Sequence, residues 1–269
     1  MPGIDFQNQK PYHWTPDEAR GSEPMEANTL TTEDLSKIYN KVPVVHRINI
    51  SIASGEIVGL LGRNGAGKTT TFLMLSGIIK PHSGTVRLNG ENIDEYPSYV
   101  RATKGLIYLP QQHSVFLKAT VFENLFQILE LYCDPAEARK RTLDLLEDFG
   151  LDYIQDSKAF QLSGGEKRRL EIARSMIMKP KFLFLDEPFT GIDPITIMEI
   201  QKLILKLKQR GIGIIITDHN VKDTFNITDR VYIIHKGEIL SSGIPGDVVR
   251  EKKCRDLFLG ADFEWRMAD

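Results

Sequence analysis

The chain has 269 residues, of which 41% are hydrophobic and 26% charged, and it is long enough to bury a sizeable core as one large domain or two intimate lobes. Lys and Arg number 34 against 36 Asp and Glu, a net charge of −2, so no global field draws it to nucleic acid or to an anionic membrane surface. No uninterrupted apolar run approaches the length that crosses a bilayer, and no basic-then-apolar secretion signal opens the chain, which points to a soluble protein. Cys133 and Cys254 show neither metal-ligand spacing nor a disulfide framework, as suits a reducing compartment.

Residues 1–27 hold Pro2, Pro11, Pro16 and Pro24 with several acids and little periodicity, and read as a flexible leader. Strands are expected at 44–52, 57–61, 85–88, 106–109, 182–185, 213–217 and 231–234, short runs rich in Ile and Val of the kind covered on both faces. Helices are expected at 121–132, 135–149, 165–178 and 194–209. In the last of these, Ile197, Ile200, Leu203, Ile204 and Leu207 make one apolar stripe. Helices crowd between about 112 and 179 and strands resume at 182, the pattern of an α/β core interrupted by a helical lobe.

The apolar run at 57–61 leads into Gly62-Arg63-Asn64-Gly65-Ala66-Gly67-Lys68-Thr69, and a helix-compatible stretch starts at Thr70. This is the G-x-x-x-x-G-K-[ST] spacing in the strand, loop and helix context that a phosphate-binding loop requires. The glycines let successive backbone N–H groups point inward at phosphate oxygens, and the helix adds its positive N-terminal end. Lys68 then reaches the β- and γ-phosphates and Thr69 is placed to ligate magnesium. A second element, Phe182-Leu183-Phe184-Leu185-Asp186-Glu187, is an apolar strand ending in two acids. It sets Asp186 at the carboxyl edge of the sheet, where it can hold Mg²⁺ through water, and Glu187 where it can polarise an attacking water.

With Leu162-Ser163-Gly164-Gly165-Glu166 added, the chain resembles the ATP-binding subunits of ABC transporters, whose signature is close to Leu-Ser-Gly-Gly-Gln. Ser163 offers a hydroxyl and Gly164 and Gly165 offer N–H groups at a helix start, although Ser is also a common helix cap. Glu166 departs from the usual Gln and leaves the Ser and Gly groups in place. The resemblance implies a P-loop NTPase, RecA-like α/β core with an inserted helical subdomain and an antiparallel β subdomain. The ATPase domain would occupy 28–263, with core at about 28–111 and 180–245, helical subdomain at about 112–179, and a C-terminal helix and tail at 246–269. It also implies a head-to-tail homodimer with two ATP molecules between phosphate loop and opposing signature.

Other landmarks follow from the same resemblance. Gly62, Asn64, Gly65, Ala66, Gly67, Lys68, Thr69 and Thr70 would hold ATP, with Tyr39 stacked on adenine, or else a plain exposed strand residue. Gln111, after Tyr108-Leu109-Pro110, matches a glutamine that touches Mg²⁺ and reports nucleotide state to the membrane partner. Asp193 matches a loop linking the two active sites, where a local helix cap is equally ordinary. His219 matches a histidine at the γ-phosphate. Catalysis would rest on Glu187, His219 and Lys68, and the metal on Thr69, Gln111 and Asp186.

Within the family, the stretches 108–111, 166–174, 186–195, 217–221 and 258–263 resemble the ATPases of lipopolysaccharide exporters, with branched-chain amino-acid importer ATPases as the nearest rival. The implied setting is the cytoplasmic face of an inner membrane, bound to integral membrane transporter subunits. A groove near 111–125, with Phe116, Leu117 and Phe122 as contacts or as core, would receive a short helix of that partner. The transported molecule would not touch this chain. A soluble ABC protein acting on ribosomes or DNA is disfavoured by one phosphate loop, one signature and near-neutral charge. A simple P-loop kinase or GTPase needs no Ser163-Gly164-Gly165 element.

Overall fold

The computed structural model describes residues 28–260 and 262–265; the expected leader at 1–27 lies outside the described residues, as does Ala261. The described chain divides into two compact units, Val115–Ile177 and the remainder.

The remainder holds two sheets. One is antiparallel: β1 (Thr29–Tyr39) pairs with β2 (Val42–Ile48), β3 (Ser51–Ala53) and β5 (Ser83–Leu88), and β5 pairs with β6 (Glu91–Asn92). The other has six strands in the order β11-β10-β4-β9-β8-β7, built from β4 (Ile57–Gly62), β7 (Leu106–Leu109), β8 (Phe182–Asp186), β9 (Gly213–Thr217), β10 (Arg230–His235) and β11 (Glu238–Gly243). All its pairings are parallel except β10 with β11. Every residue of β4, β8 and β9 is buried, which explains their unbroken apolar sequence. Around them lie α1 (Lys68–Leu75), α2 (Ser98–Thr103), α6 (Pro194–Gln209), α7 (Val221–Phe225) and a C-terminal run that ends in a π-helical turn, Arg255–Leu259. Leu60, Phe72, Phe184, Ile215 and Tyr232 belong to one core cluster shared with Leu30, Leu35 and Ile48 of the antiparallel sheet. In α6, Ile197, Ile200, Ile204 and Leu207 are buried and Leu203 is half-buried, so the stripe does face the core.

The antiparallel sheet departs from expectation. The single strand expected at 44–52 is two strands, because β2 pairs with the Leu35–Tyr39 half of β1 and β3 with the Thr29–Thr31 end. Asn49 and Ile50 separate the two strands, and just before the break, inside β2, Arg47 sits at φ 49°, a left-handed kink near the end of that strand. β1 itself was not among the expected strands. Thr29, Glu33 and Asp34 are exposed while the polar Thr32 and Ser36 are buried, and a bulge between Glu33 and Ser36, with Asp34 at φ 48°, interrupts its alternation.

The helical unit contains α3 (Val121–Leu129), α4 (Pro135–Asp148) and α5 (Gly164–Met176). Each start is fixed by a side chain: a capping box of Thr120 and Glu123 for α3, Asp134 with Pro135 at the first position for α4, and Ser163 for α5. Its interior includes Leu125, Leu129, Leu146 and Leu170 together with an ion pair of Arg168 and Glu171 at 3.1 Å, both buried. Among the described residues no helix is long and apolar enough to cross a membrane.

Candidate functional site

β4 ends at Gly62, where a side chain is impossible: a Cβ there would lie 2.3 Å from the Ile234 carbonyl oxygen of the neighbouring β10. The loop then turns tightly, with the Ala66 N–H donating to the Arg63 carbonyl at 3.1 Å. Gly67 caps α1 at φ 109°, and a Cβ on it would meet the Val44 carbonyl at 2.7 Å. The helix therefore starts without a capping side chain and without an acid in its first turn, which leaves its first N–H groups and its positive end uncompensated. Gly65, Asn64 and Thr69 are exposed on this loop, Ala66 is buried and Thr70 half-buried.

The Lys68 side chain is only 5% exposed. Its ammonium donates to the carbonyls of Gly62 at 2.8 Å and Arg63 at 3.2 Å. Burial pushes its pKa down, and the nearby charges of Glu187, Asp186 and Asp218 work against that. The cation is thus held at the mouth of the loop with three carboxylates around it. Such a cradle, an uncapped helix start and a partly desolvated ammonium together fit a polyphosphate.

β8 and β9 run in register with Asp186 opposite Thr217. Thr217 Oγ1 donates to Asp186 Oδ1 at 2.6 Å, and the Tyr108 hydroxyl, from β7 on the other side, donates to Oδ2 at 3.0 Å. Burial and the Asp186 charge push the Tyr108 hydroxyl pKa well up, so it stays a donor. One residue further, Glu187 adopts φ 49°. Its N–H donates to the Thr217 carbonyl at 2.9 Å, and its side chain turns to meet two expected site residues. Gln111 Nε2 donates to Oε2 at 2.6 Å, and His219 Nε2 lies 2.6 Å from Oε1. Thr190 Oγ1 is 3.4 Å from Oε2. A left-handed conformation in a non-glycine residue costs on the order of 1–3 kcal/mol and persists only where the surroundings over-determine it. Here four partners do so.

Lys68, Asp186, Glu187, Gln111 and His219 therefore converge. Mg²⁺ is satisfied by one or two carboxylates plus phosphate oxygens and water, and Asp186 with the Thr69 hydroxyl and Gln111 is a donor set of that kind. Tyr39 ends β1 at the turn to β2, 44% exposed, with the Lys37 ammonium 5.4 Å from its ring centre. Asp193 is the N-cap of α6 and accepts the N–H groups of Ile195 and Thr196. Ser163, exposed, caps α5; Gly164 is half-buried and Gly165 buried. Phe116 and Leu117 are exposed beside a cavity of about 620 Å³ lined also by Val115, Glu123 and Lys158, whereas Phe122 is half-buried and stacked on Phe126.

Sequence reasoning assigned no role to Tyr108, Thr217, Thr190 or Asp218. Asp218 is 2% exposed and bridges two loops, its Oδ2 accepting the Phe189 N–H at 2.9 Å and its Oδ1 the Asn220 N–H at 2.8 Å. A polar residue ending an apolar strand next to the acidic one is the signal that could have found Thr217.

A family model for ABC transporters matches residues 45–190, more than half of the chain. The lipopolysaccharide export system ATP-binding protein LptB of Haemophilus influenzae is 44% identical over 237 residues, covering 87% of this chain and 98% of that protein. The protein of the same name from Acidithiobacillus ferridurans is 46% identical with the same coverage. Among solved structures, cbiO1 of Clostridium perfringens, part of the ABC transporter complex cbiONQ, superposes with a TM-score of 0.77 at 32% identity, over 86% of this chain and 94% of that one. The nucleotide-cradling loop, the paired acids and these likenesses agree, and the chain belongs to the ABC transporter family as an ATP-binding subunit.

Proposed function

We propose that this chain hydrolyses ATP as one half of a homodimer and powers lipopolysaccharide export through integral membrane subunits, from the cytoplasmic face of an inner membrane. The observation that carries the catalytic part is Glu187, held between Gln111 and His219 one residue beyond Asp186. The cargo is supported by the two bacterial relatives, which span 87% of this chain and bear that export function in their names. The ATPase domain is taken as 28–263, with the helical subdomain at about 112–179 inserted in it.

In this reading the loop from Gly62 to Thr70 binds the phosphates through backbone N–H groups, and Lys68 leaves its carbonyl partners for the β- and γ-oxygens. Thr69, Asp186 and Gln111 would hold Mg²⁺, which when bound neutralises charge growing on those oxygens. Tyr108 and Thr217 keep the Asp186 carboxylate turned toward that position. Glu187 accepts a hydrogen bond from the attacking water, and His219 orients Glu187 as a third group orients a catalytic base. Tyr39 supports the adenine, and Asp193 lies on the segment between the two sites. Ser163, Gly164 and Gly165 close over the nucleotide of the other protomer, where the helix start of α5 favours a phosphate. The exposed Phe116 and Leu117 beside their cavity would receive a helix of the membrane subunit. Nothing in the proposed chemistry requires contact with nucleic acid or with the transported lipid.

The test is Glu187→Gln. Sizing chromatography with ATP is expected to show a stable dimer, with nucleotide bound and phosphate release reduced at least 100-fold. A chain that stays monomeric with ATP and hydrolyses at the original rate would refute the assignment.

A further inference from the structure

Ser163 is engaged beyond what a helix cap needs. In a capping box the third residue's acid takes the backbone N–H of the cap residue. Glu166 does this, accepting the Ser163 N–H on Oε2 at 2.8 Å. The same oxygen also accepts the Ser163 hydroxyl proton at 2.7 Å, while Ser163 Oγ accepts the Glu166 N–H at 3.2 Å. The far oxygen is anchored too, since the Tyr153 hydroxyl donates to Oε1 at 2.8 Å.

A hydroxyl carries one proton, and an ionised carboxylate accepts without donating. Burial pushes the Glu166 carboxyl up, but the bonds from the Ser163 hydroxyl, the Ser163 N–H and the Tyr153 hydroxyl outweigh it, and the Arg169 charge helps to hold it below the usual carboxylate range. Glu166 is therefore ionised at neutral pH, and the one proton of Ser163 points inward at it. A triphosphate is likewise acceptor-only. It can receive that proton only after Glu166 gives it up.

We propose that Glu166 is a positioning residue that latches the Ser163 hydroxyl inward and so raises the ATP concentration at which two chains close over nucleotide. This rests on the reading that Ser163 meets the other protomer's triphosphate. Closure must replace a charge-assisted bond within the chain by one to the phosphate, and it must also bring a fixed negative charge toward a polyanion. A glutamine at this position keeps the capping box through its amide oxygen, loses the charge, and holds the hydroxyl only as strongly as a neutral acceptor does. The latch thus opposes sandwich formation until nucleotide is abundant.

The experiment is an ATP titration of dimer formation, read by light scattering, in chains that carry Glu187→Gln to prevent turnover. Adding Glu166→Gln is expected to lower the half-maximal ATP concentration by roughly five- to tenfold, the difference between a charged and a neutral hydrogen bond. Melting temperature without nucleotide and ATP affinity of the dilute monomer should hardly move, since the box and the phosphate loop are intact. A helix-capping role alone predicts that the titration does not move either, because glutamine caps as glutamate does. Repeating the substitution in a Ser163→Ala background separates the latch from simple charge removal: the gain should disappear there. A gain that persists without the hydroxyl, or a titration that Glu166→Gln leaves in place, overturns the latch while the dimer reading stands. Failure of the Glu187→Gln chain to dimerise at any ATP concentration overturns both.

Discussion

Asp218 shows how a side chain outside the reacting pair can set the geometry of the site. Its two oxygens tie the turn after Glu187 to the turn after His219, so the bond between those two residues depends on it. Burial pushes its carboxyl pKa up, and the N–H groups of Asn220 and Phe189 offset only part of that. The folded chain therefore keeps the Asp218 proton at pH values where the unfolded chain, near 3.8, has released it. Over that window the folded state binds more protons, so the stability gained from Asp218 falls as pH rises. Asp218→Asn removes the titration and one of two accepted hydrogen bonds, at a cost of about 1–3 kcal/mol. That cost should be smaller at pH 7.5 than at pH 4.5 in urea denaturation of both proteins; a cost that grows with pH would contradict the burial argument. Lys68, Asp186 and Glu187 were singled out because short spacings in their own segments mark them, and His219 only through the family resemblance. Asp218, Thr217 and Tyr108 were not, because their roles arise from strand register: Tyr108 and Asp186 meet across β7 and β8 although 78 positions separate them.

At the scale of elements, α1 is short, has no side-chain cap at its start, and has no basic residue in its last turn. A cation from elsewhere supplies what its sequence lacks. Arg101 of α2, 1% exposed, donates Nη1 to the carbonyls of Met74 and Leu75 at 2.8 Å each, and Nε to Tyr96 at 2.9 Å. A positive charge at a helix C-terminus is favourable, and here it also satisfies the Leu75 carbonyl and adds a second bond to the Met74 carbonyl, which accepts the Gly77 N–H at 3.2 Å. Arg101→Met keeps the length of the stem and strips these donors. We expect a loss on the order of 3 kcal/mol in chemical denaturation, with weaker nucleotide binding because the start of α1 carries Lys68. An unchanged midpoint would show that water replaces the guanidinium at no cost. The buried strands β4, β8 and β9 were legible in sequence since both faces are apolar, whereas β1 was not, because half of its residues face water and Asp34 bends it. The clamp on α1 left no local mark either: an arginine in a helix of six residues reads as surface.

For the molecule as a whole, the C-terminal segment bears on the site although it is far from it in sequence. α7 has five residues, too few to hold a helix by its own hydrogen bonds, yet its cap Asn220 directly follows His219. Asn220 caps its start, Gln201 Nε2 donates to the Asp223 carbonyl at 2.9 Å, and aromatic packing supports its end. Phe225 of α7 meets Phe263 edge-on at 6.2 Å between ring centres and Trp265 at 5.4 Å. Trp265 Nε1 donates to Asn226 Oδ1 at 2.9 Å, and the Lys222 ammonium lies 5.7 Å from the Phe263 ring centre. Arg255 in turn fixes the tail by donating to the Phe263 carbonyl at 3.2 Å. Phe263→Ala with Trp265→Ala removes both rings from α7 and leaves every residue around the phosphate loop untouched. The double variant should lose about 2–4 kcal/mol of stability, and at a temperature well below its melting point turnover should fall several-fold while ATP affinity stays within twofold. That split follows from geometry, since the rings support the helix behind His219 and have no part in holding phosphate. Equal losses in affinity and turnover would instead mean that the tail supports the sheet as a whole, and an unaltered rate would mean that Glu187 and Asp218 suffice to hold His219 in place.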